Sequence, residues 1–347
     1  MSRPLRIAQV GPVATSIPPP GSGSIELLTS QLTEGLVARG HEVTLFAAGN
    51  STTSAHLHAT FERGYRDDDS LWTWEMCELM NVAAAIERAG QFDVIHCQCE
   101  YYPFSLPFTR LVPVPVLHTV HYWPNPDEVG IWRRYPDAPF VAVSQAQASV
   151  LRGLRVVGIV HHGIDIDALP FTALPADYLL FLGRFIDGKG VLDAIDAARR
   201  AGLPLRLAAP ANDYFRSTIA PLVDGHSVVY EGEVSGAAKA TLIGGARALL
   251  YPVVKPEPFG LVLPEAMACG TPVAALGPGA VPEIVTGGLT GGVFETLDAL
   301  VAGLPSVMAL DRGVVRATAV ARFGLARMID GYEAVYRAMA GGAPGPL

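Results

Sequence analysis

Two carboxylates eight positions apart, Glu257 and Glu265, stand astride a Pro258-Phe259-Gly260 turn. The apolar run Ala248–Val254 before them reads as a buried strand, which Pro256 and Pro258 stop. Leu261–Cys269 then has helix-forming composition, with Gly270 as its stop. Glu257 is therefore expected in a loop at the carboxyl end of a strand, and Glu265 about two turns along the helix. The amides of Phe259, Gly260 and Leu261 fall at the helix start, where N–H groups lack intrahelical partners and receive anions. Carboxylates that accept hydroxyls, beside amides that receive phosphate, suit a sugar nucleotide. Two glutamates at this spacing alone are equally an ordinary strand-to-helix connection with solvent-facing side chains. The turn between them and their companions decide the matter.

The companions are cations. Of the 25 basic residues only Lys189, Lys239 and Lys255 are lysine, which leaves 22 arginines. That bias fits a GC-rich coding background in which arginine replaces lysine wherever either serves. A compact ammonium is not interchangeable with a planar guanidinium at a tight phosphate site, so each surviving lysine is a site candidate. Arg184 follows the apolar run Leu179–Gly183, and Lys189 opens a helix after Asp187-Gly188. A forked donor and a point charge beside a helix start form a diphosphate clamp. The plainer alternative pairs Arg184 with surface acids and leaves Lys189 solvated.

Three weaker signals accompany these. His121 closes the strand Val114–Val120 and could bond a sugar hydroxyl or share a proton, though a satisfied structural histidine explains it as well; His118 is assigned to the core. Pro20-Gly21-Ser22-Gly23-Ser24 allows close backbone approach by an anion, or is a flexible turn. Cys97-x-Cys99 has the form of a metal pair, but buried thiols in a reducing cytosol are the simpler reading. No Ser-His-Asp spacing, H-E-x-x-H, Walker sequence or zinc-ligand series is present.

The elements that must position these residues alternate strand and helix. Leu5–Val10, His41–Ala47, Phe92–Cys97, Val114–Val120 and Phe140–Val143 read as strands of one parallel sheet. The pattern weakens near His161–Pro175, where a domain junction is placed. A second series follows, with strands Tyr178–Leu182, Leu205–Ala209, Ser227–Tyr230, Ala248–Val253 and Pro272–Ala275. The expected fold class is α/β, two doubly wound domains at 1–165 and 166–314, with a helical tail at 315–347 crossing back to the first. Ligands of open α/β sheets sit beyond the carboxyl ends of the strands, and two facing sheets would make that place a central cleft. Residues 50–75 and 122–138 read as irregular loops.

At 347 residues the chain is long enough for two cores. A net charge of −8 argues against nucleic acid and against docking on anionic lipid. No apolar stretch reaches the roughly 18 residues of a membrane span, and a first strand explains Arg3–Val10 better than a leader peptide.

Taken together the motifs resemble glycosyltransferase family 4, retaining enzymes of GT-B fold built from two Rossmann-like domains. The resemblance rests on Glu257-Pro258-Phe259-Gly260-Leu261 with Glu265-Ala266-Met267-Ala268-Cys269-Gly270-Thr271-Pro272-Val273. It is supported by Gly35–Val43, Phe92–His96, Val141–Ser144, His162–Asp165, Leu182-Gly183-Arg184 and Lys189-Gly190, in the right order along nearly the whole chain. The resemblance implies that Arg184 and Lys189 grip a diphosphate, that Glu257 bonds the donor sugar and that Glu265 holds the ribose. The amides of Phe259, Gly260 and Leu261 would face sugar and phosphate. Val234 would contact the base, and His121 would stand near the reaction centre. The family's N-terminal loop often reads Gly-Gly; here Gly23-Ser24 stands in its place, so Gly23 as a phosphate contact departs from the pattern. The implied reaction moves a sugar, with retention, from a UDP- or GDP-sugar to a soluble hydroxyl acceptor, in the cytoplasm and without a cofactor or metal. Tailoring of a secondary metabolite is one role that fits. The rival readings are a nucleotide-sugar epimerase of the same fold and a non-catalytic nucleotide-sugar binder. The acceptor is expected at loops 12–24, 50–75 and 122–138, which carry Trp72, Trp74, Tyr122 and Trp123.

Overall fold

The computed structural model describes residues 3–71, 73–99 and 102–341. The chain divides into two compact units, one of 1–163 with 325–347 and the other of 164–324.

In the first unit, seven parallel strands run in chain order: β1 (Arg6–Val10), β2 (Glu42–Ala47), β3 (His56–Ala59), β4 (Val94–Cys99), β5 (Val116–Val120), β6 (Pro139–Ala142) and β7 (Arg155–Ile159). Their order across the sheet is β3-β2-β1-β4-β5-β6-β7. β4 and β5 are buried at every residue, as strands covered on both faces must be. They register Ile95 against Val116 through Cys99 against Val120. The sequence missed β3 and β7. β3, His-Leu-His-Ala, is a half-exposed edge strand, so it lacks the continuous apolar run that marks its neighbours. Within 122–138, expected as a loop, Asn125 caps a helix Pro126–Trp132 through a capping box with Glu128. Trp132 of that helix stacks on Phe140 in the core, ring centroids 5.9 Å apart.

The second unit holds six parallel strands: β8 (Leu179–Leu182), β9 (Leu205–Ala208), β10 (Val228–Gly232), β11 (Ala248–Tyr251), β12 (Val273–Leu276) and β13 (Gly291–Phe294). Their order is β10-β9-β8-β11-β12-β13. Phe181, Phe185 and Phe215 fill its core, with the Phe185 and Phe215 rings 5.0 Å apart. β13, Gly-Gly-Val-Phe, was invisible to a search for apolar runs.

The tail is a correction. Residues 315–347 are not one element, because Gly324 leaves helical geometry (φ −57°, ψ 142°) and separates two helices. Arg312–Phe323 belongs to the second unit, where Phe323 accepts from the Ile164 amide at 2.8 Å. Leu325–Ala340 belongs to the first, where Ile329 packs so tightly on Gly35 that a Cβ there would lie 2.2 Å from it. Among the described residues, no helix is long and apolar enough to cross a membrane.

Candidate active site

Glu257 lies in the loop after β11, as the prolines dictate, and β11 ends at Tyr251 rather than running to Val254. The Glu257 backbone is tied to the next βα loop, since the Ala280 amide donates to its carbonyl at 3.0 Å. Its carboxylate takes the Lys189 ammonium at 2.6 Å, both side chains about one-fifth exposed (17% and 20%). The Tyr251 phenol stands beside the same carboxylate; burial, and then that negative charge, push it far above its ordinary value, so it stays a neutral donor. Gly260 (φ +86°) makes room for this cluster, because a Cβ would lie 2.8 Å from the Tyr251 hydroxyl.

Lys189 is aimed by its own loop. The Val254 amide donates to the Gly188 carbonyl at 3.0 Å, tying the β8 and β11 loops together. Gly190 (φ +74°) opens the helix Val191–Ala201, and a Cβ there would lie 1.9 Å from the Pro252 carbonyl. Only glycine permits that approach, which sets Lys189 against Glu257. Arg184, by contrast, is exposed: its carbonyl accepts from the Ile186 amide at 3.0 Å, but its guanidinium makes no hydrogen bond or ion pair with any described residue.

The helix after the turn runs Val262–Ala268, which places Glu265 in its first turn rather than two turns along. Pro264 supplies no N–H, and the first backbone bonds come from Leu263 to Gly260 and from Glu265 to Leu261. The amides of Gly260, Leu261 and Val262 have no partner among the described residues and are only partly buried. Phe259 contributes backbone alone, since its ring is 1% exposed and meets Phe323 edge-on.

Sequence reasoning missed the partner of Glu265. Its carboxylate takes the Lys239 ammonium at 2.7 Å, from the helix Gly236–Gly245. Two of the three lysines thus neutralise the two carboxylates of the turn, and their rarity was the signal. Lys255 is exposed and lies 3.7 Å from exposed Asp187. Val234 sits half-buried between β10 and that same helix.

In the first unit, Gly23 is the N-cap of the helix Ser24–Ala38 and its carbonyl accepts from Leu27 at 3.0 Å. A Cβ at Gly23 would lie 2.9 Å from the Glu26 carboxylate. His121 follows β5 half-buried, its Nε2 2.8 Å from the Gln98 amide oxygen and its ring stacked on His162 with centroids 5.2 Å apart. Burial drives its pKa down to about 3, so the imidazole is neutral. His118 is fully buried with Nδ1 3.1 Å from the Pro139 carbonyl, a core residue as expected. Cys97 and Cys99 are buried free thiols, and burial pushes Cys97 up to about 12. Of the aromatics expected to meet an acceptor, Trp72 lies outside the described residues. Tyr122 packs edge-on against Trp132 and donates to Glu128 at 3.3 Å, so it faces the core. Among the described residues, no three His, Cys, Asp or Glu side chains converge as metal ligands would.

Comparison with solved structures identifies the class. AviGT4, a glycosyltransferase involved in avilamycin A biosynthesis, matches with a TM-score of 0.73 at 26% identity, over 98% of this chain and 99% of that one. Sucrose-phosphate synthase from Thermosynechococcus elongatus matches with a TM-score of 0.78 at 19% identity, over 98% of this chain and 100% of that one. The two Rossmann-like units are those of a GT-B glycosyltransferase, which takes its sugar from a nucleotide. Residues 25–168 match the profile of Glycosyltransferase Family 4, and residues 172–316 that of Glycosyl transferases group 1. The chain belongs to glycosyltransferase family 4. Among curated relatives, phosphatidyl-myo-inositol mannosyltransferase of Mycobacterium leprae is 24% identical over 97% of each chain. Glycogen synthase of Mycobacterium tuberculosis is 25% identical over 80% of each.

Proposed function

We propose that the chain transfers a sugar, with retention of anomeric configuration, from a UDP- or GDP-sugar to a small-molecule or saccharide hydroxyl. The observation that carries this reading is the pair of lysine–carboxylate contacts, Lys189–Glu257 and Lys239–Glu265, on either side of three unpartnered amides. The bond to be broken joins an anomeric carbon to a diphosphate, so negative charge grows on the departing oxygen. Lys189 and Arg184, with the amides of Gly260, Leu261 and Val262, are the groups that would receive it. Preorganised donors of this kind contribute most where charge develops. Glu257 keeps one oxygen on Lys189 and has the other for the hydroxyls of the donor sugar. Glu265 does the same beside Lys239 for the ribose, and the backbone at Val234 would meet the base. Arg184, the Lys189 ammonium shared with Glu257 and the oriented amides would face the diphosphate charge, so the reaction is proposed to run without a divalent metal. Activity that disappears with a chelator and returns with one added metal would overturn that part.

The acceptor belongs to the first unit in this reading, with His121 near the reaction centre and Gly23 opening the helix beside a phosphate. The likeness to AviGT4 supports an acceptor from secondary metabolism. A thermal-shift screen of nucleoside diphosphates tests the donor site directly, since a ligand at 100 times its Kd stabilises the fold by about 2.7 kcal/mol. The expected result is a rise in Tm with one ribonucleoside diphosphate. Failure of every uridine, guanosine and adenosine diphosphate to shift Tm would refute the reading.

A further inference from the structure

The first unit buries a chain of polar side chains that the transfer reaction as described above does not use. Gln9, His96, Gln98, Thr119, Tyr332 and Tyr336 are each 6% exposed or less. They come from β1, β4, β5 and the helix Leu325–Ala340, and the chain ends on His121. Gln9 Nε2 donates to the Tyr336 hydroxyl at 2.8 Å, which turns the Gln9 oxygen toward Gln98. Gln98 Nε2 donates to that oxygen at 3.2 Å, so the Gln98 oxygen faces His121 Nε2 at 2.8 Å. His121 must then carry its proton on Nε2. The Tyr336 hydroxyl in turn donates to His96 Nδ1 at 2.6 Å, and His96 Nε2 donates to Thr119 at 2.8 Å. Every bond in the series agrees on one direction.

The opposite direction reverses both amides and moves the His121 proton to Nδ1. That atom is buried with no hydrogen-bond partner among the described residues. A buried N–H without an acceptor costs about 1–3 kcal/mol, and such orphaned donors are rare. A bare lone pair at the same place is tolerated better. The titratable groups around the ring do not reverse this choice. His96, His118 and His162 are themselves held neutral by burial, and burial keeps the Tyr122 phenol neutral.

We infer that Gln98 is a positioning residue for His121, fixing its imidazole as the Nε2–H tautomer and leaving Nδ1 a bare lone pair, never a donor. This rests on the proposed place of His121 near the reaction centre, but the tautomer can be read without any turnover. Nitrogen-15 NMR of the histidine-labelled protein at pH 7 should show His121 as Nε2–H, unchanged between pH 5 and 8. A proton on Nδ1, or titration near the ordinary value of about 6.5, would overturn the inference. Gln98→Leu should mix the tautomers and lower kcat about tenfold, with donor KM within about twofold, as expected for one lost buried hydrogen bond. Full kcat in Gln98→Leu with the tautomer unmoved would also overturn it. Should Gln98→Leu fail to fold, the wild-type spectrum decides. A wild-type protein with the expected spectrum and no sugar transfer would defeat the proposed function and leave the tautomer assignment standing.

Discussion

All three lysines lie in the second unit, and every histidine except His226 lies in the first. The two units therefore handle polar side chains by different means. The first buries neutral groups and satisfies them with one another, as the series from Gln9 to His121 shows. The second keeps full charges at the edge of its sheet and matches Glu257 and Glu265 each with a lysine, at 2.6 and 2.7 Å. Neutral relays hold a geometry at small electrostatic cost, because nothing charged is desolvated. Paired charges cost more to bury but supply the field that a departing diphosphate needs. The difference teaches that the two units are built for different tasks, shape in one and charge in the other.

The largest effect should come from breaking the charged side. Lys189→Ala is expected to lower kcat about 10²–10³-fold, the usual cost of removing one such donor. Lys189→Arg should not restore it, because a planar fork cannot sit where Gly190 and Pro252 aim a point charge. Steady-state kinetics of both variants check this, and full activity in the arginine variant would refute the special role of lysine. Glu257→Gln should come next. It weakens the hold on Lys189 and on the sugar, so discrimination among donor sugars should fall by about tenfold or more while affinity for the bare nucleoside diphosphate changes little. Calorimetry with the diphosphate alone separates the two.

Lys239→Met sharpens the comparison, because it removes a charge without touching the diphosphate. Nucleotide Kd should rise about tenfold, near 1.4 kcal/mol, with kcat at saturating donor nearly unchanged. A fall in kcat instead would place Lys239 at the reacting bond. The effect smallest on turnover, though not on stability, concerns the first unit and acid. His118 and His121 have folded pKa values lowered to about 4 and about 3 by burial. The unfolded chain binds protons that the folded one refuses, so their stabilisation is complete above about pH 6.5 and is lost as pH falls toward those values. By pH 5 each costs about 2 kcal/mol. Hydrogen exchange should therefore show β4 and β5 losing protection before β8 and β11. Simultaneous loss in both units would contradict the contrast.

Much of the fold was legible because parallel strands covered on both faces are continuous apolar runs. β1, β2, β5 and β11 stand out in the sequence for that reason. β3, β7 and β13 did not, since edge strands carry polar residues or glycines in place of such runs. The site was legible where chemistry is local. Pro256, Pro258 and Gly260 fix the Glu257 loop within a few residues. Contacts that span the chain were not legible, such as Lys189 with Glu257 across 68 positions. The scarcity of lysine pointed toward them but could not assign partners. Gln9, His96 and Gln98, buried polar residues inside largely apolar strands, were the available sign of the neutral relay.

The most direct measurement is the rate at which free nucleoside diphosphate leaves the preferred sugar donor in the presence of acceptor. Wild type is compared with the double variant Arg184→Ala, Lys189→Ala, in the absence of added metal. Cations that receive the departing diphosphate predict steady release by wild type and release near background by the variant. Equal rates in the two proteins would contradict that role.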